Sequence, residues 1–424
     1  MSGSITASVR RASLMAVALA AVGCGGDPPA AGASASPSLP ACMVERSRLV
    51  LGDGTEVYVE YQDVIQVGDD LLLAGSPSYH WKPAPGRSAD LLSSDEIVAA
   101  YFGRGARTVP KPVPGRLGSV RAAALDDRSW GAVMLEVDPD SLPGQELFTG
   151  LWYGEYDGAR WSRVEAMPPL RGEIMSRVSS ALVRAGDRMA WAAWESPPGE
   201  HARVRIYERS GGAWVDYAVP ELDRVELVEL AYSEGSGLWM LISGYDAGLP
   251  GFQKSLRLYR ERSPTSAIAD RWEFVSRVTI AEQGVNLAFA SFLLQPGGAA
   301  VSWAELSRFG TRVRTRVGIG LESPGTVYTL ADDSDNVRLA AMPDGSPAWV
   351  VAVGGAEPGV FDLQLLRLEG GTVKVVASFP SPFPMYFTVR AVDPHEIVVV
   401  GPELGSDSIG VPFRSLLLRL STSC

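Results

Sequence analysis

Short runs of alternating or wholly apolar residues recur along this chain, and no stretch keeps a helical period for long. The runs are rich in Val, Leu, Ala, Trp and Tyr, and Gly, Asp, Pro and Ser separate them. Alternation predicts strands and the separators predict turns, so the chain reads as all-β. One unit returns: a strand, a tight turn, then a second strand that is apolar on both faces. VIQVGDDLLLAGSP begins at Val64, VRAAALDDRSWGAVMLEVD at Val120, SSALVRAGDRMAWAAWES at Ser179 and VELAYSEGSGLWMLISGY at Val228. LAFASFLLQPGGAAVSWAEL begins at Leu287, VRLAAMPDGSPAWVVAVGG at Val337 and VRAVDPHEIVVVGPE at Val389. A second, more polar hairpin follows most copies, as in LWYGEYDGARWSRVEAMP, VRIYERSGGAWVDYAVPEL and LQLLRLEGGTVKVVASFP. Its DG, GG and EGG turns supply the positive φ that tight hairpins need.

Each period, roughly 50–60 residues, therefore predicts four antiparallel strands, A to D, within the range of blade-type repeats. The inner two are expected to be apolar on both faces and the outer two half-exposed. One such sheet cannot bury both faces alone, whereas sheets stacked radially can. In architecture the chain resembles the β-propellers over about residues 44–424, although it has no WD dipeptide, Asp-box, YWTD motif or tryptophan-docking motif. The expected fold is a single seven-bladed β-propeller of four-stranded antiparallel blades, closed by pairing of N- and C-terminal strands. A β-sandwich or two smaller β domains is the alternative, and six or eight blades is the nearer one, since the first and fifth outer hairpins are irregular. After the seventh apolar pair only FRSLLLRLSTSC remains, from Phe413, enough for one strand. RLVLGDGTEVYVEY, from Arg48, has no blade of its own. Pairing these two would complete the last blade and hide both open edges.

The N-terminus reads differently. Residues 1–23 hold no acid, and Arg10 and Arg11 precede the apolar run Leu14–Val22, which ends at Gly23 and Cys24. That order makes a secretory signal, too short to span a bilayer as a helix. Leu19-Ala20-Ala21-Val22-Gly23-Cys24 resembles the lipobox of bacterial lipoprotein precursors, with Ala21 in place of the usual leucine. The resemblance implies a cut before Cys24, acylation of that cysteine, and attachment to a bacterial envelope membrane facing the periplasm or the exterior. An ordinary signal, or a twin-arginine one through Arg10-Arg11, is the competing route. Residues 25–41, GGDPPAAGASASPSLPA, have the composition of a tether with a reach of roughly 20–25 Å. The expected organisation is signal peptide 1–23, lipidated Cys24 and tether 24–41, and propeller 42–424.

Charge narrows the partners. The formal net charge is −11, and removal of Arg10 and Arg11 makes it more negative. An acidic surface argues against nucleic acid and against adhesion to anionic lipid. The protein has three cysteines. With Cys24 lipidated, Cys42 and Cys424 are left in a compartment where disulfides persist. Cys424 is the last residue, and Cys42 stands just before the N-terminal strand, so a bridge would replace the missing turn of the closing blade.

The loops joining strands B and C are long and rich in Gly, Pro and aromatics, which makes their face the expected place for a ligand. Tyr79-His80-Trp81, beside Lys82, and Tyr245 are aromatic candidates for sugar or protein contact. Asp138, Glu195, Glu305 and Glu403 recur where strand B ends. As a ring they would bind a cation such as Ca²⁺, or, as a pair, cleave a glycosidic bond; as solvated loop acids they would do neither. Asp332-Asp333-Ser334-Asp335-Asn336 lacks the spacing of a calcium loop and reads as a turn between blades. His80, His201 and His395 form no zinc-binding spacing, and no nucleophile elbow is present. Arg203, Arg308 and Arg312 lie on the loop face as sialidase arginines would, without the Asp-boxes of that family. The pattern favours a monomeric, non-catalytic module, without catalytic residue or cofactor, that binds an envelope protein or glycan. The alternative is a propeller glycoside hydrolase or lyase.

Overall fold

The computed structural model describes residues 42–422 apart from 83–89, 95–96, 103–105, 139, 141–147, 171–179, 196–202, 220–223, 246–253, 280–284, 296–297, 308–311, 320–325, 333, 342–346, 355–360, 370, 384–386, 394 and 404–413. Cys24, His201, Arg308, Asp333 and Cys424 thus lie outside the described residues. The chain is all-β, a propeller of four-stranded antiparallel blades. Strand A is Glu56–Val67 in the first blade, Arg116–Ala124 in the second, Val183–Ala185 in the third and Arg224–Ser233 in the fourth. It is Val285–Gln295 in the next, then Ser334–Ala341, then Thr388–Asp393 in the closing blade. Each strand A lies against the strand A that follows, and that of the closing blade lies against that of the first. Strand A is therefore the inner edge of every sheet.

Strand B shows why the sheets stack. Trp130–Val137 is buried at every position but one, and Arg188–Glu195 is nearly so. Trp130, Trp191, Trp239 and Trp303 are each almost wholly buried in strand B of four successive blades. Strand D keeps the expected half-exposed pattern, as in Trp161–Ala166. Strand C is more buried than expected: Arg203–Ser210 has five consecutive buried residues. It sits between B and D with neighbours on both edges, so its position in the sheet outweighs its polar composition. The hairpin turns take the positive φ that their glycines foretold, as at Gly158 (93°) and Gly371 (78°).

The chain's two ends meet, with a shift from the sequence-based expectation. The strand that pairs with Arg414–Ser421 is Met43–Arg48, in the register Met43↔Leu420 to Arg48↔Leu416. Leu49 N then donates to Ser415 O and Ser421 N to Cys42 O. Of residues 48–61 only Arg48 is in that strand: Glu56 onward belongs to strand A of the first blade. The misjudged boundary has a cause. Register breaks between Val59 and Tyr61 and between Tyr61 and Asp63 interrupt the alternation of one continuous strand. MVERSR alternates only between half-buried and exposed, so it carries no apolar signal. Leu71, Leu73 and Phe102 of the first blade pack with Val398, Val400 and Leu417 of the closing one, which makes the junction of the termini a core like the others.

Charged clips reinforce these apolar contacts. Arg188 and Glu208 of the third blade meet Glu261 and Arg271 of the fourth in a closed four-membered ring. The contacts run from 2.6 to 3.1 Å, and the four side chains are between 4% and 13% exposed. Arg209 of the third blade reaches back to Glu155 and Glu165 of the second. Burial opposes ionisation of Glu261, yet hydrogen bonds from Arg188 and Arg271 hold it below its ordinary 4.5.

Glu261→Gln should cost about 3 kcal/mol, because it leaves two buried guanidiniums sharing one carboxylate. The stability that Glu261 contributes is complete above the unfolded pKa and is lost as pH falls through its lower folded value. Urea titrations of wild type and variant should therefore diverge at neutral pH and converge in acid. Equal midpoints at pH 7 would contradict this role.

Candidate functional site

The described residues picked out from sequence are spread over several blades. Tyr79, His80 and Trp81 are in a strand and not a loop: strand B of the first blade runs on through Lys82. There it pairs with Glu56–Tyr58 on one side and Leu91–Ser93 on the other, forming a hairpin extension of the blade. Its SYHW run alternates as a strand does, but the Gly and Pro beyond it drew the loop boundary too early. Tyr245 ends strand B of the fourth blade opposite Lys254, and Glu403 ends that of the closing blade opposite Arg414.

The acids at the ends of strand B have local work. Asp138 accepts a hydrogen bond from Asp140 N and shapes its own turn. Glu195 is 1% exposed. One oxygen accepts from Arg205 Nε at 2.7 Å and the other from Tyr207 Oη at 2.8 Å. Arg205 also binds Asp216. Burial, with the Glu195 carboxylate beside it, raises the pKa of the Tyr207 phenol, which stays a donor. Glu305 occupies the equivalent register and is 3% exposed, with Trp303 Nε1 3.3 Å from its carboxylate. In register Glu195 faces Arg203 and Glu305 faces Arg314, so acid at the end of B and base at the start of C recur as cross-strand neighbours. A solvent-facing carboxylate ring is thus corrected for Glu195 and Glu305: both point into packed sheet. Among the described residues no three metal-ligating side chains converge. The acidic run after Thr326 falls where one blade gives way to the next, Asp332 ending one strand and Ser334 beginning the other. Arg203 and Arg312 begin strand C of their blades. His395 lies in the expected turn between A and B, exposed, with its carbonyl accepting from Thr422 N.

A different cluster forms at the inner edge. Asp63 of the first blade lies between Arg121 of the second and Arg390 of the closing blade, all three on strand A. Asp63 Oδ2 accepts from Ala122 N at 2.7 Å, and Arg121 Nη1 is 3.4 Å from Oδ1. Arg390 Nη1 is 3.4 Å from the carbonyl of Val64, while its Nε is buried with no hydrogen-bond partner. Burial pushes the Asp63 carboxyl above its ordinary value, and Arg121, the Ala122 amide and Arg390 recover only part of the shift. Burial likewise pushes the Arg390 guanidinium down, against the pull of Asp63. The side chains of Asp63 and Arg121 remain 11% and 15% exposed, whereas Arg390 Nε is closed to solvent. A register break immediately before Asp63 turns it toward its neighbours. Sequence held a signal for this cluster: Val-Arg recurs at 120–121, 337–338 and 389–390, at matched positions of three repeats.

A cleft of about 290 Å³ opens between the first two blades, on the side of the tight turns. Asp70, Tyr101, Arg107, Asp127, Arg128 and Asp157 line it. The Arg107 guanidinium lies 3.9 Å from the centre of the Tyr101 ring, whose hydroxyl accepts from Trp130 Nε1. Gly68, at φ 60°, leaves no room for a Cβ against the carbonyl of Asp127, so the two turns that floor the cleft touch directly.

No family model matches the chain, and no curated protein matches it. Its fold is similar to several solved structures. One is a protein of unknown function from Dyadobacter fermentans DSM 18053, 12% identical, with a TM-score of 0.47 over 89% of this chain and 98% of that one. Another is an alpha-L-arabinanase of Penicillium chrysogenum complexed with arabinobiose, 13% identical, TM-score 0.45, over 72% and 92%. A third is the polysaccharide lyase Uly1, 9% identical, TM-score 0.48, over 86% and 90%. The likeness is one of fold.

Glu195→Gln should cost about 3 kcal/mol of stability, because Arg205 loses a buried charged partner. Asp138→Asn should stay within about 0.5 kcal/mol, as surface substitutions do. Chemical denaturation of the two variants tests the assignment. An unchanged midpoint for the Glu195 variant would show a carboxylate free for chemistry.

Proposed function

We propose that the chain is an exported, lipid-anchored propeller, one ring of seven blades, that acts as a non-catalytic binding module in a bacterial envelope. The observation that carries the non-catalytic half is Glu195, the most buried of the described candidate acids, both of whose oxygens are held by Arg205 and Tyr207. A carboxylate so engaged is neither a nucleophile nor a proton donor for a glycosidic bond, which needs a pair roughly 5–9.5 Å apart facing the sugar. The blade count is supported by seven apolar A–B pairs in the sequence and by contacts that run from each strand A to the next. The anchor is supported by the residues from Arg10 to Cys24. A bridge from Cys42 to Cys424 is supported by the hydrogen bond from Ser421 N to Cys42 O, which sets Cys42 beside the end of the C-terminal strand. Such a bridge typically contributes about 2–4 kcal/mol.

Cross-linked pull-down from envelopes, a glycan array and a polysaccharide-cleavage assay test the module together. Capture of an envelope protein or glycan without turnover is expected. Turnover that survives purification would overturn the binding role. In mass spectra the envelope form should begin at an acylated Cys24, and Cys24→Ser should move to the soluble fraction. An unmodified N-terminus, or a variant still bound to membrane, would rule the anchor out. Thiol labelling of the unfolded, unreduced protein should find neither Cys42 nor Cys424 reactive, and two reactive thiols would dismiss the bridge.

A further inference from the structure

The cleft between the first two blades is lined from four places in the chain. Asp70 comes from the A–B turn of the first blade, and Asp127 and Arg128 from that of the second. Arg107 begins strand D of the first blade, and Asp157 follows strand C of the second. Asp157 is committed locally: its carboxylate accepts from Arg160 N at 2.8 Å and Ala159 N at 2.9 Å, and those bonds hold it below its ordinary pKa. The other four charged groups share one cavity of about 290 Å³. Among the described residues no ion pair joins Asp70 or Asp127 to Arg107 or Arg128. The walls are set in advance. Arg107 lies flat on Tyr101, which Trp130 Nε1 fixes at 3.0 Å, and the turns at Gly68 and Asp127 touch beneath the cleft. A ligand entering it has little of the protein left to order.

Charge decides the kind of ligand. With Asp157 committed, two carboxylates stand against two guanidiniums, so the cleft has no net field to draw in an ion of either sign. Ion pairs to exposed groups are also worth little. A guanidinium only donates and an ionised carboxylate only accepts, whereas a hydroxyl does both. A ligand with several hydroxyls can therefore bridge the acids to the arginines wherever it settles between them. The cavity has the volume of on the order of ten waters, room for one sugar ring.

We infer that this cleft binds a neutral sugar unit of a glycan, whose hydroxyls bridge Asp70 and Asp127 to Arg107 and Arg128. The inference rests on the binding-module reading and names one site and one ligand class within it. It sets that contact on the side of the tight turns, away from the long loops.

Isothermal calorimetry on the purified protein tests it, with maltose, cellobiose, arabinobiose and N,N′-diacetylchitobiose as neutral probes and lysine and glutamate as charged ones. At least one neutral disaccharide should bind, with an affinity that added salt leaves unchanged, and neither charged probe should compete. Arg107→Ala and Asp127→Ala should each weaken that binding about tenfold, the scale of one hydrogen bond to a charged group. Both side chains are exposed, so the thermal midpoints should hold. Asp187→Ala, which removes an exposed turn acid of the third blade outside the cleft, should bind as wild type does. Should Arg107→Ala lose stability, Asp127→Asn removes one charge at constant shape and gives the same readout. Unchanged affinity in the cleft variants would overturn the site and leave a binding module whose glycan docks elsewhere. Failure of every neutral probe, or preference for lysine or glutamate, would overturn it as well; an envelope protein still captured in the pull-down would then leave the module standing without this cleft.

Discussion

Trp130–Val137 buries side chains on both faces of its sheet, so neither face can be left to water. The same holds for strand B in the blades beside it, and it sets the architecture. Each sheet needs a neighbour on either side, the neighbours need theirs, and only a ring removes the two uncovered faces. The ring in turn needs its last blade completed, which Met43–Arg48 does by pairing with Arg414–Ser421. An edge strand of six residues with little apolar content suffices there, because its task is to satisfy backbone groups and not to fill a core.

Apolar faces alone do not say which blade sits where, since one Leu- and Val-rich face fits another about as well. The charged clips are specific. Arg188 and Arg271 find Glu208 and Glu261 only when the third and fourth blades are neighbours in this register. Buried ion pairs add little net stability over an apolar replacement, but a broken one is expensive, so they penalise misassembly more than they reward assembly. The Asp63 cluster belongs to the same class by position: it joins first, second and closing blades.

The repeat was legible because strand B is apolar without alternation and tight Gly turns precede or follow it, as in VGDDLLLAG and VRAGDRMAWAAW. The closing strand was half legible: a missing partner for FRSLLLRL was evident, while MVERSR carries too little hydrophobicity to announce a strand. The candidate site was legible least. Glu195 and Glu305 recur at matched positions, and recurrence is equally the mark of buried structural groups, as the bonds to Glu195 from Arg205 and Tyr207 reveal only once the sheet is known. Asp63 and Arg390 are 327 positions apart and become neighbours through ring closure alone. No local pattern encodes that, although the repeated Val-Arg step placed arginine at matched positions of strand A three times.

The two ends of the chain thus hold the first and closing blades together. A crystal structure of residues 42–424 reads that contact directly. The account predicts Met43–Arg48 antiparallel to Arg414–Ser421, with strand A of the first blade against that of the closing blade. A well-ordered structure in which Asp63 and Arg390 lie on blades that are not neighbours would contradict it.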